Sequence, residues 1–215
     1  GRLIIGAGIA PDTPAVRQEF AAAGVPFEGR VGRYMDGIEL CRSLWKGDPV
    51  SQNGRWPLEA ATLAPLPHRE GGPPIWSAAS VSAGITRTAR HHDGWFPIGP
   101  NADTFATQNA QFRAEASAAG RNLEALTTAI YLTVSIMDDS VDAEAAIDAY
   151  LENYYNAPAA AMRTFQACKG GTEDQVISFI RSFVLGGAQH LVIRCVGDHD
   201  KILQVLSQRR DEFLG

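Results

Sequence analysis

Residues 75–98 read IWSAASVSAGITRTARHHDGWFPI, and the fold class turns on this stretch. IWSA is a short apolar run closed by small residues, and the segment from Val81 or Ser82 to His92 carries helical spacing. GWFPI, at 94–98, returns to strand character and is stopped by Pro97 and Gly99-Pro100. A strand, a helix and a strand in succession form the unit from which parallel sheets are built.

The same alternation extends in both directions. LIIGAGI, at 3–9, is a short, β-branched apolar run bounded by Gly and Pro, which predicts a buried strand. Pro14 and Gly24 punctuate a helix over 14–23. A second helix is predicted at 30–46, where Tyr34, Ile38, Cys41 and Trp45 fall on one apolar stripe before Gly47. Residues 47–73 hold many Pro and Gly and no sustained period, so they read as an excursion loop with a short hairpin around Asn53-Gly54. Downstream, a helix at 102–119 precedes AIYLTVSI, at 129–136, which has the composition of a buried strand. Asp138 to Ser140 cap Ala-rich helical sequence that runs to about 168 with a break at Pro158. Thr172 and Gln175 form a capping box opening a helix to Leu185, with Val176, Ile180, Phe183 and Val184 on one face. HLVIRCV, at 190–196, is the last strand, and Ile202, Val205, Leu206 and Phe213 line the terminal helix.

Strand and helix alternate five times, which predicts a parallel sheet covered by helices in one domain spanning 1–215. An open doubly wound sheet and a closed barrel both satisfy the pattern. The net charge of −5 argues against nucleic acid as a partner, since phosphate-backbone binding needs a basic face. No apolar run is long enough for a membrane span, and the first residues lack the pattern of a secretory signal. Cys41, Cys168 and Cys195 show no CxxC spacing and read as buried free thiols in a reducing cytoplasm.

Two stretches bear on ligand binding. Gly6-Ala7-Gly8 resembles the start of a dinucleotide fingerprint, but Ala10-Pro11 follows and the next strong strand begins only near residue 74. A tight turn at a strand end, where glycine lets a ligand approach closely, is the better reading. At the turn Ala78-Ala79-Ser80 the next helix begins, and unpaired amides at a helix start, with the hydroxyls of Ser80 and Ser82, suit a phosphate. An ordinary Ser-capped helix fits the same spacing. His91 and His92 point about 100° apart on a helix and read as solvated helix-end cations rather than metal ligands. There is no metal-ligand spacing among the other histidines, no GxSxG elbow, and Tyr154-Tyr155 read as helix packing.

Together GRLIIGAGIA, EFAAAGVPFEGRVGRYMDGIELCRSLW, the PPIW-SAAS turn, TARHHDGWFP and GTEDQVISFIRSFVLGGAQHLVI resemble the bacterial luciferase-like flavin monooxygenase superfamily. The resemblance implies a TIM-type (β/α)8 barrel and an oxidoreductase or monooxygenase acting on a small-molecule substrate with FMN or the deazaflavin coenzyme F420. It further implies that the strands here are the family's fourth to eighth. The family's phosphate loop, commonly Gly-Gly-x-Ser, corresponds to Ala78, Ala79, Ser80 and Val81, with Ser82 beside them. Ala in place of Gly keeps the backbone donors but removes the freedom to take positive φ. Trp95 matches the family's Asp-Gly-Trp and is expected at the barrel mouth, while Gly8 and Ile9 are expected beside the flavin ring. No catalytic residue follows from the sequence. A barrel lacking its first three strands exposes strand edges, so a second copy or a complementing chain is the expected cover. The alternative is a truncated or degenerate member without cofactor or activity, serving as a structural or partner subunit.

Overall fold

The computed structural model describes residues 1–214, and the chain divides into two compact units, residues 1–75 and 76–215. In the first unit, β1 (Ile5–Gly8) leads to α1 (Pro14–Ala22), α2 (Arg30–Leu44) and the strands β2 (Val50–Gln52) and β3 (Leu58–Ala61). Thr13 caps α1 by accepting from the Val16 amide, and Pro14 supplies the preset φ of a first turn. The two short strands pair antiparallel, so the predicted excursion does contain a hairpin, with Gly54 in its turn at φ 120°. The Ile5 amide donates to Pro74 O at 2.9 Å, which ties β1 to the end of the unit. Neither α1 nor α2 has a fully buried residue; Phe27, between them, is the buried anchor.

The second unit begins within β4 (Ile75–Ala78) and continues through α3 (Ser82–His91), β5 (Gly94–Trp95), α4 (Ala102–Ala118) and β6 (Thr127–Ile136). It then runs through α5 (Ser140–Tyr155), α6 (Ala159–Met162), β7 (Ala167–Gly171), α7 (Glu173–Leu185), β8 (His190–Cys195), α8 (His199–Gln208) and α9 (Arg210–Leu214). Every strand pair here is parallel: Trp76 lies opposite Gly94, Gly94 opposite Thr127, Thr133 opposite both Cys168 and Arg194. The class is therefore α/β, a parallel half-barrel sheet of five strands with surrounding helices. β6 is its organising strand. Along one edge β5 pairs with its first residues and β7 with its last five, while β8 runs along the other edge.

Alternation along β6 separates two environments. Ile130, Leu132, Val134 and Ile136 enter the main core with Phe105 and Phe112 of α4, Val176, Ile180 and Phe183 of α7, and Ile202 of α8. On α7 the buried set is Val176, Ile177, Ile180 and Phe183, so Ile177 takes the place predicted for Val184, which is half-buried. The capping box forms as read, Gln175 Oε1 accepting from the Thr172 amide at 3.0 Å. Two readings are corrected. The Ala-rich helix does not reach 168: Asn156 ends α5 in the left-handed region, and Ala167–Gly171 joins the sheet as β7. Gly170 is what permits this, because a Cβ there would collide with the backbone of Ala143 in α5. His92, expected in solvent, is fully buried, and its carbonyl accepts from Arg121 at 2.5 Å, whereas His91 is exposed.

β7 is also clamped by charge. Glu144 of α5 receives Lys169 Nζ and Arg163 Nη2, each at 2.8 Å, and Asp148 receives Arg163 Nε at 2.6 Å. Burial opposes the Glu144 charge, yet the hydrogen bonds from Lys169 and Arg163 outweigh it and hold the carboxyl below its ordinary value. A depressed carboxyl contributes stability above its unfolded pKa and loses it as pH falls through the folded one.

Gly170→Val is expected to cost about 2–3 kcal/mol in urea unfolding, whereas Gly32→Ala, on the exposed side of α2 with no atom near its Cβ position, stabilises by a few tenths to about 1 kcal/mol. Between pH 5 and pH 3 the unfolding midpoint of the native chain is expected to fall more steeply than that of Glu144→Gln, which has no carboxyl to protonate.

Candidate functional site

In the first unit, the C-terminal end of β1 opens on a cavity of about 490 Å³. Its walls are Ile5, Ile9, Phe20, Tyr34, Ile38, Cys41, Trp45 and Trp56, so the stripe predicted on α2 forms one side of it. Trp56 packs on Gly37, and Trp45 lies across Gly72, whose φ of 95° and missing side chain make room for the ring. Gly8 sits on the floor with no atom within 4 Å of where a Cβ would be, which leaves open space directly over the strand end. The apolar wall is interrupted by Arg30 and Arg33. Arg30 is committed: its Nε donates to Ala10 O at 3.2 Å and its guanidinium lies 4.0 Å from the Phe27 ring centre. Arg33 differs, because its Nη1 is shut away from solvent and makes no hydrogen bond. A buried guanidinium nitrogen without an acceptor costs free energy that an anionic ligand group would recover.

The second unit holds the turn from β4 to α3. Ala78 ends β4, Ala79 is half-buried, Ser80 and Val81 are exposed, and Ser82 is the first residue of α3, whose start has no side-chain cap. The turn is held through its carbonyls. Ala79 O accepts Trp95 Nε1 at 2.7 Å, Ser80 O accepts Gln108 Nε2 at 2.9 Å, and Val81 O accepts the amides of Gly84 and Ile85. Ser82 Oγ accepts Gln111 Nε2 at 2.7 Å and keeps its own proton to donate. No residue from Ala78 to Ser82 has positive φ, so the Ala-for-Gly exchange introduces no backbone strain in this conformation. Gly84 completes the fit, its Cβ position lying 3.1 Å from that of Ala79.

Trp95, expected at a barrel mouth, is wholly buried. Its ring stacks on Phe105 at 5.2 Å and Phe112 at 5.9 Å, and it meets the turn only through the indole N–H. The thiols are also placed differently from the reading: none is in a disulfide, but Cys41 is exposed and Cys168 and Cys195 are half-buried. Burial pushes both Cys168 and Cys195 upward, away from the reactive thiolate form. Among the described residues no group of three or more His, Cys, Asp or Glu is gathered to hold a metal, and no helix is long and apolar enough to cross a membrane. Arg33 is the site residue the sequence reading passed over. A cation that shares its helix face with Gly37 and Cys41, at spacings of four, was the available signal.

A parallel-sheet α/β chain with a ligand-sized cavity at a strand's C-terminal end defines the class of protein. Residues 1–210 match the family model for luciferase-like monooxygenases, and the chain belongs to that family. Among curated relatives, a phthiodiolone/phenolphthiodiolone dimycocerosates ketoreductase of Mycobacterium kansasii is 29% identical over 152 residues, covering 69% of this chain and 40% of the relative. An F420-dependent glucose-6-phosphate dehydrogenase of Nocardia farcinica is 25% identical over 230 residues, covering 97% of this chain and 68% of that protein. The chain thus spans about 40% of the length of the ketoreductases it matches. Among solved structures, the monooxygenase RslO1 from Streptomyces bottropensis has a TM-score of 0.76 at 19% identity, covering 100% of this chain and 68% of that one. An F420-dependent secondary alcohol dehydrogenase has a TM-score of 0.73 at 16% identity, covering 97% and 68%. At these identities the two structures bear on the fold.

Because Trp95 braces the turn by one hydrogen bond, Trp95→Phe is expected to leave Ala79 O unpaired and the core underfilled, costing about 2–4 kcal/mol. Hydrogen exchange should show faster exchange at Ser80 to Gly84 than at β6 amides.

Proposed function

We propose that this chain is the cofactor-holding part of an oxidoreductase that uses FMN or F420 on a small organic substrate. The observation that carries the reading is the cavity at the end of β1, apolar on its walls, open over Gly8 and supplied with the unsatisfied Nη1 of Arg33. That combination suits a planar ring system joined to an anionic group. Family membership and the F420-dependent relatives point the same way.

In this reading Gly8 and Ile9 lie beside the ring, the missing side chain of Gly8 admitting it to the backbone. Arg33 takes an anionic group of the ligand. Taken by itself, the turn in the second unit is a phosphate-binding candidate: Ser80, Val81 and Ser82 offer backbone amides and two hydroxyls, with Ala78 and Ala79 shaping the corner and the Trp95 indole bracing it. The start of α3 adds the positive end of a helix dipole. A bound cofactor of either kind supplies the hydride or oxygen chemistry, and the protein's part is to orient it and exclude water. Trp45, Trp56 and Tyr34 serve exclusion in the cavity. The thiols suit a reducing, cytoplasmic setting, and further polypeptide, either a second copy or a complementing chain, covers the exposed apolar side chains such as Leu3 and Leu185.

Titration of FMN and of F420, followed by fluorescence, is expected to show saturable binding of one of them that survives gel filtration. Arg33→Met should weaken it by about tenfold or more, and Gly8→Phe should abolish it while leaving the thermal unfolding midpoint within a few degrees of the native chain. Loss of binding to both cofactors in the well-folded chain would favour the alternative, a structural or partner subunit without activity.

A further inference from the structure

The face of β6 turned away from the main core carries Ala129, Tyr131, Thr133 and Ser135. In the parallel register Thr133 lies opposite Arg194 of β8 and Tyr131 opposite Val192, which puts Tyr131 and Arg194 on one surface as diagonal neighbours. Arg194 Nε donates to Tyr131 Oη at 3.2 Å. The guanidinium carbon lies 5.9 Å from the ring centres of both Tyr150 and Tyr154 on α5, and these two rings stack on each other at 5.5 Å.

Three features make this more than a packing cluster. Arg194 is exposed, and among the described residues its side chain has no carboxylate partner and a single hydrogen bond, the one donated by Nε to Tyr131 Oη, which leaves the Nη pair for a ligand. Three of the four acidic side chains of α5 are engaged elsewhere, Glu144 with Lys169 and Arg163, Asp148 with Arg163, and Glu152 with the Ala159 amide, and the fourth, Asp142, lies in the first turn of the helix, two turns before Tyr150. Tyr150 Oη is buried and has no hydrogen-bond partner, so a phenol proton stands ready beside the free fork.

We propose that Arg194, Tyr131, Tyr150 and Tyr154 form a binding site for an aromatic carboxylate. The planar guanidinium fork matches a carboxylate in two parallel hydrogen bonds, Tyr150 Oη donates a third, and the exposed ring of Tyr154 supplies a stacking face for the aromatic body. A tetrahedral phosphate would use the charge but gain nothing from the rings. The site lies wholly in the second unit and uses no residue assigned above to the cofactor, so its occupancy is independent of that reading.

Benzoate, benzamide and inorganic phosphate serve as probes, titrated into the full chain without cofactor at constant ionic strength and read by calorimetry and by tyrosine ring resonances. Saturable benzoate binding that shifts the rings of Tyr150 and Tyr154, with benzamide failing to bind, is the expected result. Arg194→Met should weaken benzoate by about tenfold, and Tyr150→Phe by about threefold. Both positions tolerate the change without unfolding if far-ultraviolet circular dichroism and the unfolding midpoint match the native chain; Arg194→Lys, which keeps charge but not the fork, provides a second reading and should also weaken binding. The proposal is overturned by absence of saturable benzoate binding, by equal affinity in Arg194→Met, or by phosphate binding as tightly as benzoate through the same residues.

Discussion

The indole of Trp95 is the contact on which the second unit depends. Its strand, β5, is only two residues long and cannot hold its place by ladder hydrogen bonds alone. The ring compensates by stacking on Phe105 and Phe112 of α4, and Phe105 meets Phe183 of α7 edge-on at 5.8 Å. One aromatic column thus joins the sheet to two covering helices. The indole N–H then reaches Ala79 O, so the same residue that fixes the core also fixes the turn from β4 to α3. Gly94 is the necessary companion, because a side chain there would occupy the space of the Trp76 ring. The Gly-Trp pair is therefore a packing requirement before it is anything else.

Punctuation made much of the fold legible. Pro14, the Thr172–Gln175 box and the glycines after helices act on the chain locally, and the structure puts the corresponding ends within a few residues of the reading. β7 was hidden for an equally local reason. Ala-rich sequence has high helix propensity, and what makes Ala167–Gly171 a strand is the edge of β6 left open beyond β5, a tertiary fact. Gly170 carried the hint, since two adjacent glycines seldom serve the interior of a helix.

The candidate site was legible in part. The stripe Tyr34, Ile38, Cys41 and Trp45 announced an apolar face, but periodicity says that a face avoids water and not what it meets. Here it meets a cavity. The turn after β4 is readable because strand, small residues and helix follow in sequence, whereas the burial of Trp95 among the α4 aromatics is a matter of tertiary packing that no local pattern shows. Arg194 and Tyr131, 63 residues apart, come together only through the register of β6 and β8, which no local pattern encodes.

The two faces of β6 show how one strand divides labour. On the side of the main core Ile130, Leu132, Val134 and Ile136 are buried among large apolar neighbours, and any polar atom there would be costly. The other face holds Tyr131, Thr133 and Ser135, where hydroxyls recur at every second residue along the strand. A chain selected only for packing gains nothing from polar groups on that face, least of all from a neighbouring arginine that pairs with no carboxylate among the described residues. Helix α5 covers part of the same face with Ile147 and Leu151, which form a small apolar cluster with Val196, so a dry seal was within reach of this sequence. The seal stops where Tyr150 and Tyr154 meet Arg194, and the polarity begins where the apolar cover ends.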